Sequence, residues 1–191
     1  GLIPEPMFHE LVGEGKKYGT IYEYAQSKDY PVEKILNVAK NASLGDKNKI
    51  KDYKNYLIDS NPIIRFWGTY AAFLTEQIRP DIQSLLKEII LNDRFAANRI
   101  LAAQALAVCG DPEFAYKSIL KESNQTKNTY VLLLALNAFQ YGLIDGRLTL
   151  DDWKSFEEKK FPENDADANL GYPQRIIADA ISLWPERRKV Y

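Results

Sequence analysis

The chain has 191 residues, 46% of them apolar, and its 25 Lys and Arg residues balance 26 Asp and Glu residues. This length suffices for one well-buried domain, and the balanced charge argues against nucleic acid or an anionic membrane as a partner. One Cys excludes an internal disulfide, and one His excludes zinc sites of the usual Cys and His types. No apolar run is long enough to span a bilayer.

Residues 1–30 combine prolines and glycines with the aromatic run YGTIYEY. This composition predicts an extended segment or a short helix that lies over another surface. Residues 161–172 form a second irregular region, predicted as a polar loop before the last helix. Binding residues are often found in such connecting segments.

Between these regions, prolines precede several stretches of helical apolar periodicity. A proline at the first helical position loses no needed N–H group, so each one predicts a helix start. The prolines concerned are Pro31, Pro62, Pro80, Pro112 and Pro173. Asn61 and Asp111 add capping side chains directly before two of them.

Helical spacing also predicts which faces are buried. The predicted core face after Pro31 consists of Ile35, Leu36, Val38, Ala39 and Ala42. That of the stretch after Pro80 consists of Ile82, Leu85, Leu86, Ile89 and Ile90. Thr149 with Asp152 predicts a further helix start of the capping-box kind.

Three segments, residues 61–74, 96–110 and 128–142, resemble one another. Aligning Arg65 with Arg99 places Gly68 over Ala102, so small residues recur where neighbouring helices need to approach closely. A period in the mid-thirties predicts an all-α fold, an α-α superhelix of HEAT or armadillo type. We therefore expect a crossing segment over residues 1–30 and a helical-repeat domain over residues 31–191.

Five features suggest chemistry or binding, and each has a structural alternative that we favour. DADANLG begins like a calcium loop, but Gly171 falls one place late and Ile176 stands where the bidentate Glu belongs, so we predict no metal. His9 lacks a partner group for catalysis. Cys109 ends an apolar helix and is predicted to be a buried small residue.

The stretch KNKIKDYKNY mixes Lys with Tyr, as some single-strand binders do. Ile50, Tyr53 and Leu57 fall at helical spacing, which favours a packed helix with solvated lysines. The three tryptophans, Trp67, Trp153 and Trp184, are likewise interpreted as packing residues and not as a glycan platform.

Several segments together resemble the C-terminal region of bacterial sulfatases, the group of arylsulfatases and N-sulfoglucosamine sulfohydrolases. They are Leu2–Glu5, Tyr22–Tyr24, Tyr30–Leu36 and Asn61–Trp67. The resemblance implies that the chain is the non-catalytic accessory domain of a sulfatase that is periplasmic or extracellular. Its partner would be the catalytic domain of the same chain.

In that family a formylglycine arises from Cys/Ser-x-Pro-x-Arg, and a calcium ion is held by Asp and Asn residues. Cys109 is followed by Asp111 and Glu113, so it does not match that motif. No catalytic residue, metal or cofactor is therefore expected in this chain. The resemblance implies interdomain contacts for Leu2, Ile3, Met7, Phe8, Tyr22 and Tyr24, although the apolar ones could instead lie against the first helices.

Two other functions remain open. The chain could be a freestanding HEAT-type module for protein–protein interaction, or a glycan-binding module that uses exposed aromatic side chains. An apolar patch over residues 2–24 favours the accessory domain. Solvent-facing, coplanar Trp or Tyr rings would favour glycan binding.

Overall fold

The computed structural model of the chain describes residues 7, 20–28, 30–76, 79–126 and 128–149, and all regular secondary structure within them is helical. The helices are α1 (Ile21–Gln26), α2 (Val32–Ser43), a 3-10 turn (Lys47–Lys49), α3 (Ile50–Leu57), α4 (Pro62–Thr75), α5 (Pro80–Asn92), α6 (Ala96–Val108), α7 (Pro112–Gln125) and α8 (Thr129–Ile144). The predicted all-α class is confirmed. The predictions for His9, the DADANLG loop, Pro173 and the Thr149–Asp152 cap lie partly or wholly outside these residues.

The helices begin where the prolines and caps predict. Pro62, Pro80 and Pro112 are the first residues of α4, α5 and α7. Asn61 Oδ1 accepts from the Ile63 N–H at 2.9 Å, and Asp111 Oδ1 accepts from the Phe114 N–H at 3.3 Å. Pro31 lies one position before α2, and its carbonyl accepts the first backbone bond of that helix from Ile35.

The residues group into two compact units, 1–118 and 119–191, with the division falling inside α7. In the first unit α2 packs against α4 and α4 against α6, forming a first row, while α3 and α5 form a second row. Each second-row helix packs against the first-row helix that follows it in sequence, α3 against α4 and α5 against α6. The first unit is thus built from successive helix pairs.

In the second unit, α8 carries the third of the similar segments. Asn128 caps it, since its Oδ1 accepts from the N–H groups of Tyr130 and Val131. Val131, Ala135, Leu136, Ala138 and Phe139 are buried along this helix. The predicted boundary between residues 30 and 31 stays a prediction.

Gly68 allows α3 and α4 to approach closely. A Cβ atom at this position would lie 2.7 Å from Tyr56 Cβ and 2.8 Å from the backbone nitrogen of Leu57. Ala102, at the equivalent position of α6, is fully buried. The prediction that small residues mark close helix contacts is therefore confirmed at Gly68.

The predicted core faces are largely correct. Ile35, Val38, Ala39 and Ala42 are buried on α2, and Ile82, Leu86, Ile89 and Ile90 are buried on α5. Leu85 is half-buried. The prediction for Leu36 is wrong, because its side chain is 49% exposed. Leu36 lies about 100° around the helix from Ile35, outside the face that the other four residues fill.

Candidate functional surfaces

Arg65 and Arg99 make the same backbone contacts one repeat apart. Arg65 Nη1 donates to the carbonyl oxygens of Asp59 at 2.8 Å and Ser60 at 3.0 Å. Arg99 Nη1 donates to the carbonyl oxygens of Asp93 at 2.7 Å and Arg94 at 3.0 Å. Each arginine therefore holds the turn that precedes its own helix, which is why Arg recurs at this position of the repeat.

The two aspartates of these turns are equivalent as well. Asp59 Oδ1 accepts from the Asn61 N–H at 2.8 Å, and Asp59 Oδ2 pairs with Lys34 Nζ at 2.7 Å. Asp93 Oδ1 accepts from the Phe95 N–H at 2.9 Å, and Asp93 Oδ2 pairs with Arg65 Nε at 2.7 Å. Each carboxylate thus orders its own turn and binds a cation on the preceding first-row helix. These charged groups are therefore engaged in contacts that stabilise the fold.

Asn98 completes the buried part of this network, and sequence analysis missed it. Its Nδ2 donates to Asp93 Oδ2 at 3.0 Å and to the Pro62 carbonyl at 3.1 Å, and the residue is fully buried. Its Oδ1 accepts no hydrogen bond within the described part of the chain. The one available clue was a polar residue inside the apolar run AANRILAAQALAV.

A second set of ion pairs involves α3, α5 and the residue before α7. Asp81 Oδ2 lies 2.8 Å from Lys54 Nζ and 3.1 Å from Arg79 Nη2. The hydrogen bond from Arg79 contributes most, and that from Lys54 adds to it, so the pKa of Asp81 is held well below its usual range. Lys87 Nζ lies 2.7 Å from Asp111 Oδ2 and lowers the pKa of that carboxyl. These pairs link α3 to the start of α5, and α5 to the start of α7.

The KNKIKDYKNY stretch is packed as predicted. Tyr53 is fully buried, its hydroxyl donates to the Asn41 carbonyl at 3.2 Å, and burial raises its pKa. Leu57 is buried, and Ile50 packs against the core cluster around Tyr53. The packing interpretation is therefore confirmed for these three residues.

Trp67 is also a packing residue. It lies against the cluster of Ala42, Tyr53 and Ala71, and its ring makes edge-on contacts with Phe66 and Tyr70 at 5.6 Å between centroids. Edge-on rings do not form the coplanar platform that glycan stacking needs. Trp153 and Trp184 lie outside the described residues.

Cys109 is buried, as predicted, at the end of α6. Its Sγ lies 3.7 Å from the Ala72 carbonyl oxygen, and its own carbonyl accepts from Gln83 Nε2 at 2.6 Å. Among residues 20–149 as described, no group of three or more His, Cys, Asp and Glu side chains is arranged to hold a metal ion.

The predicted interdomain residues have different surroundings. Met7 is fully buried, Tyr22 is 74% exposed, and the half-buried Tyr24 ring lies 5.6 Å from the Tyr30 ring. Leu2, Ile3 and Phe8 lie outside the described residues. Beyond Tyr22, the start of the helical array exposes Val32 and Leu36, one turn apart on α2, at 43% and 49%.

Comparison with known proteins found no matching family model, no matching curated protein and no matching solved structure. Within the described residues, no helix has the length and apolar character needed to cross a membrane.

Proposed function

We propose that this chain is a non-catalytic, HEAT-type helical-repeat module that serves as the accessory domain of a sulfatase. The observation that carries the repeat assignment is the recurrence of one hydrogen-bond pattern: Asp59 with Arg65, and Asp93 with Arg99. In repeat proteins each repeat makes its main contacts with the adjacent repeat. The Lys34–Asp59 and Arg65–Asp93 pairs, which join one helix pair to the next, support that organisation.

Two observations support an accessory role. Tyr22, Val32 and Leu36 expose apolar side chains at the start of the array, and exposed apolar surface often marks a contact with another protein or domain. The sulfatase assignment itself rests on the resemblance over Leu2–Glu5 and the three later segments. In such a protein the formylglycine and calcium would belong to the catalytic domain, and this chain would stabilise that domain or shape the rim of its cleft.

The direct test is the coding sequence upstream of Leu2 in the source genome. An in-frame catalytic domain with Cys/Ser-x-Pro-x-Arg is the expected result, and a start codon within a few residues of Leu2 would overturn the sulfatase assignment. Given the expected result, the Tm of the catalytic domain is then measured with and without residues 1–191. An unchanged Tm and unchanged substrate range would contradict an accessory role.

The alternative is a freestanding HEAT-type module for protein–protein interaction. It is favoured by large apolar side chains that are exposed far from the start of the array. Leu44, Ile58 and Leu91 are 65%, 66% and 62% exposed. A start codon close to Leu2 would support this alternative, because no catalytic domain would then precede the helices in the same chain.

A further inference from the structure

Helix α2 corresponds to helix α4 in the repeat. Lys34 aligns with Arg65, because each cation pairs with the aspartate of the turn before the next first-row helix. The same alignment places Pro31, directly before α2, over Pro62, the first residue of α4. Positions on α2 can therefore be compared one by one with positions on α4.

One face of α4 is covered by the preceding helix pair, and the corresponding face of α2 is exposed. On α4, Ala71 packs with Ala42 of α2 and Tyr53 of α3. Trp67 lies against this cluster, and Ile63 is fully buried. The corresponding residues on α2 are all exposed, namely Val32, Leu36 and Lys40. Terminal repeats of helical arrays normally have a polar outer face, so α2 presents a contact surface that no described helix covers.

The charges on this face are complementary to a second copy of the same face. Glu33 and Lys40 are exposed, and neither has a hydrogen bond or ion pair with a described residue. They lie within about 20° of each other around the helix but about 10 Å apart along it, too far to pair within one chain. Leu36 lies between them along the helix. We call the face formed by Val32, Glu33, Leu36 and Lys40 the α2 outer face.

We propose that the α2 outer face is the contact surface of a homodimer, in which two copies pack α2 antiparallel to α2 about a two-fold axis near Leu36. The two Leu36 side chains would lie against each other, and Glu33 of each copy would pair with Lys40 of the other. Val32 would pack on the aliphatic stem of the same Lys40. Such a contact is isologous and closes at two copies. Because it is confined to a helix of 12 residues, we expect a Kd on the order of 10 μM.

This inference goes beyond the accessory role, because it names a second copy of the chain as the partner of α2. It assigns Val32 and Leu36 to that contact and leaves the exposed Tyr22 for a catalytic domain. A chain that stays monomeric would overturn the dimer and leave the accessory role as it stands. The two proposals can therefore fail separately.

The first measurement is sedimentation equilibrium of the whole chain between about 1 and 300 μM. The average mass should rise with concentration from that of the monomer toward twice that value. Leu36→Ser should weaken the dimer about tenfold, because both copies lose the central apolar contact. Leu91→Ser, which changes an exposed leucine on α5, should leave the Kd unchanged. A monomeric mass at the highest concentration would overturn the proposal.

The second measurement tests the antiparallel arrangement by charge reversal. Glu33→Lys and Lys40→Glu should each weaken the homodimer about tenfold, because either change places like charges at both pairs. When the two variants are mixed, they should bind each other about as tightly as the parent chain binds itself, since both pairs again join opposite charges. Circular dichroism checks that each variant is folded. Variants that dimerise like the parent chain, or a mixture that stays monomeric, would contradict the proposed contact.

Discussion

Arg65 Nε donates to Asp93 Oδ2 at 2.7 Å across 28 positions of sequence, and the Asp93 side chain is only 1% exposed. Asp93 belongs to the turn before α6, while Arg65 belongs to the first turns of α4. One buried pair therefore joins two successive helix pairs. The same aspartate accepts a hydrogen bond from the Phe95 N–H and so orders its own turn. Loss of the arginine therefore affects both this turn and the contact between the two helix pairs.

Arg65→Ala should lower the free energy of unfolding by about 3 kcal/mol or more, because it leaves the Asp93 carboxylate buried without its cation. Urea denaturation of the variant and the parent chain measures the difference. The matched control is Lys34→Ala, which breaks the equivalent pair with Asp59. Since the Lys34 side chain is 56% exposed, that change should cost about 1 kcal/mol or less. Equal losses in the two variants would contradict the burial argument.

Gly68→Ala should destabilise the chain by about 1–3 kcal/mol, because its Cβ would lie under 3 Å from Tyr56 and the Leu57 backbone. Alanine normally stabilises a helix relative to glycine, so the sign of this change reports the close helix contact. Ala102→Gly, the reverse change at the equivalent position, should cost only the helix propensity and lost packing of one methyl group, about 1–2 kcal/mol. A more stable Gly68→Ala variant would show that α3 can move away.

The chain should lose stability as the pH falls below about 4. The pKa values of Asp81 and Asp111 are lowered in the folded chain by Arg79 with Lys54 and by Lys87. A lowered folded-state pKa contributes stability above the unfolded value, near 4, and that contribution is lost as the pH falls toward the folded value. Urea midpoints between pH 7 and pH 3 measure the loss.

The control for this pH dependence is the double variant Asp81→Asn and Asp111→Asn. It should show a shallower decline between pH 5 and pH 3 than the parent chain, because two of the carboxylates that must be protonated are gone. An identical slope in both proteins would show that these two pairs do not contribute.

Cys109 should react with thiol reagents only when the chain unfolds. Its side chain is fully buried and lies against the Ala72 carbonyl, so the native thiol is inaccessible. Labelling with a chromogenic disulfide in increasing urea should follow the circular dichroism transition. Rapid labelling in native buffer would contradict the packing of α6 against α4. Ala72→Val, which adds two methyl groups at a buried position of α4, should lower stability and make the thiol react at lower urea.

Much of the first unit could be predicted from local sequence. The structure confirms three local effects: proline at the first helical position, capping by Asn61 and Asp111, and apolar spacing on α2 and α5. The recurrence of Arg65 and Gly68 at Arg99 and Ala102 was visible for the same reason. The structural role of these recurring residues could not be predicted, because the pattern shows that they recur but not which groups they contact.

The sequence by itself determined the helical class and showed that similar segments recur, because helix starts, caps and buried faces depend on residues within a few positions of one another. Only the tertiary structure decided that Arg65 pairs with Asp93, that Asn98 is fully buried, that Leu36 is exposed, and that Glu76 takes a positive φ of 49° at the end of α4. These outcomes depend on contacts between helices about one repeat apart or on the backbone at a helix end. Neither the contacts between helices nor the backbone at a helix end produces a periodic pattern in the sequence.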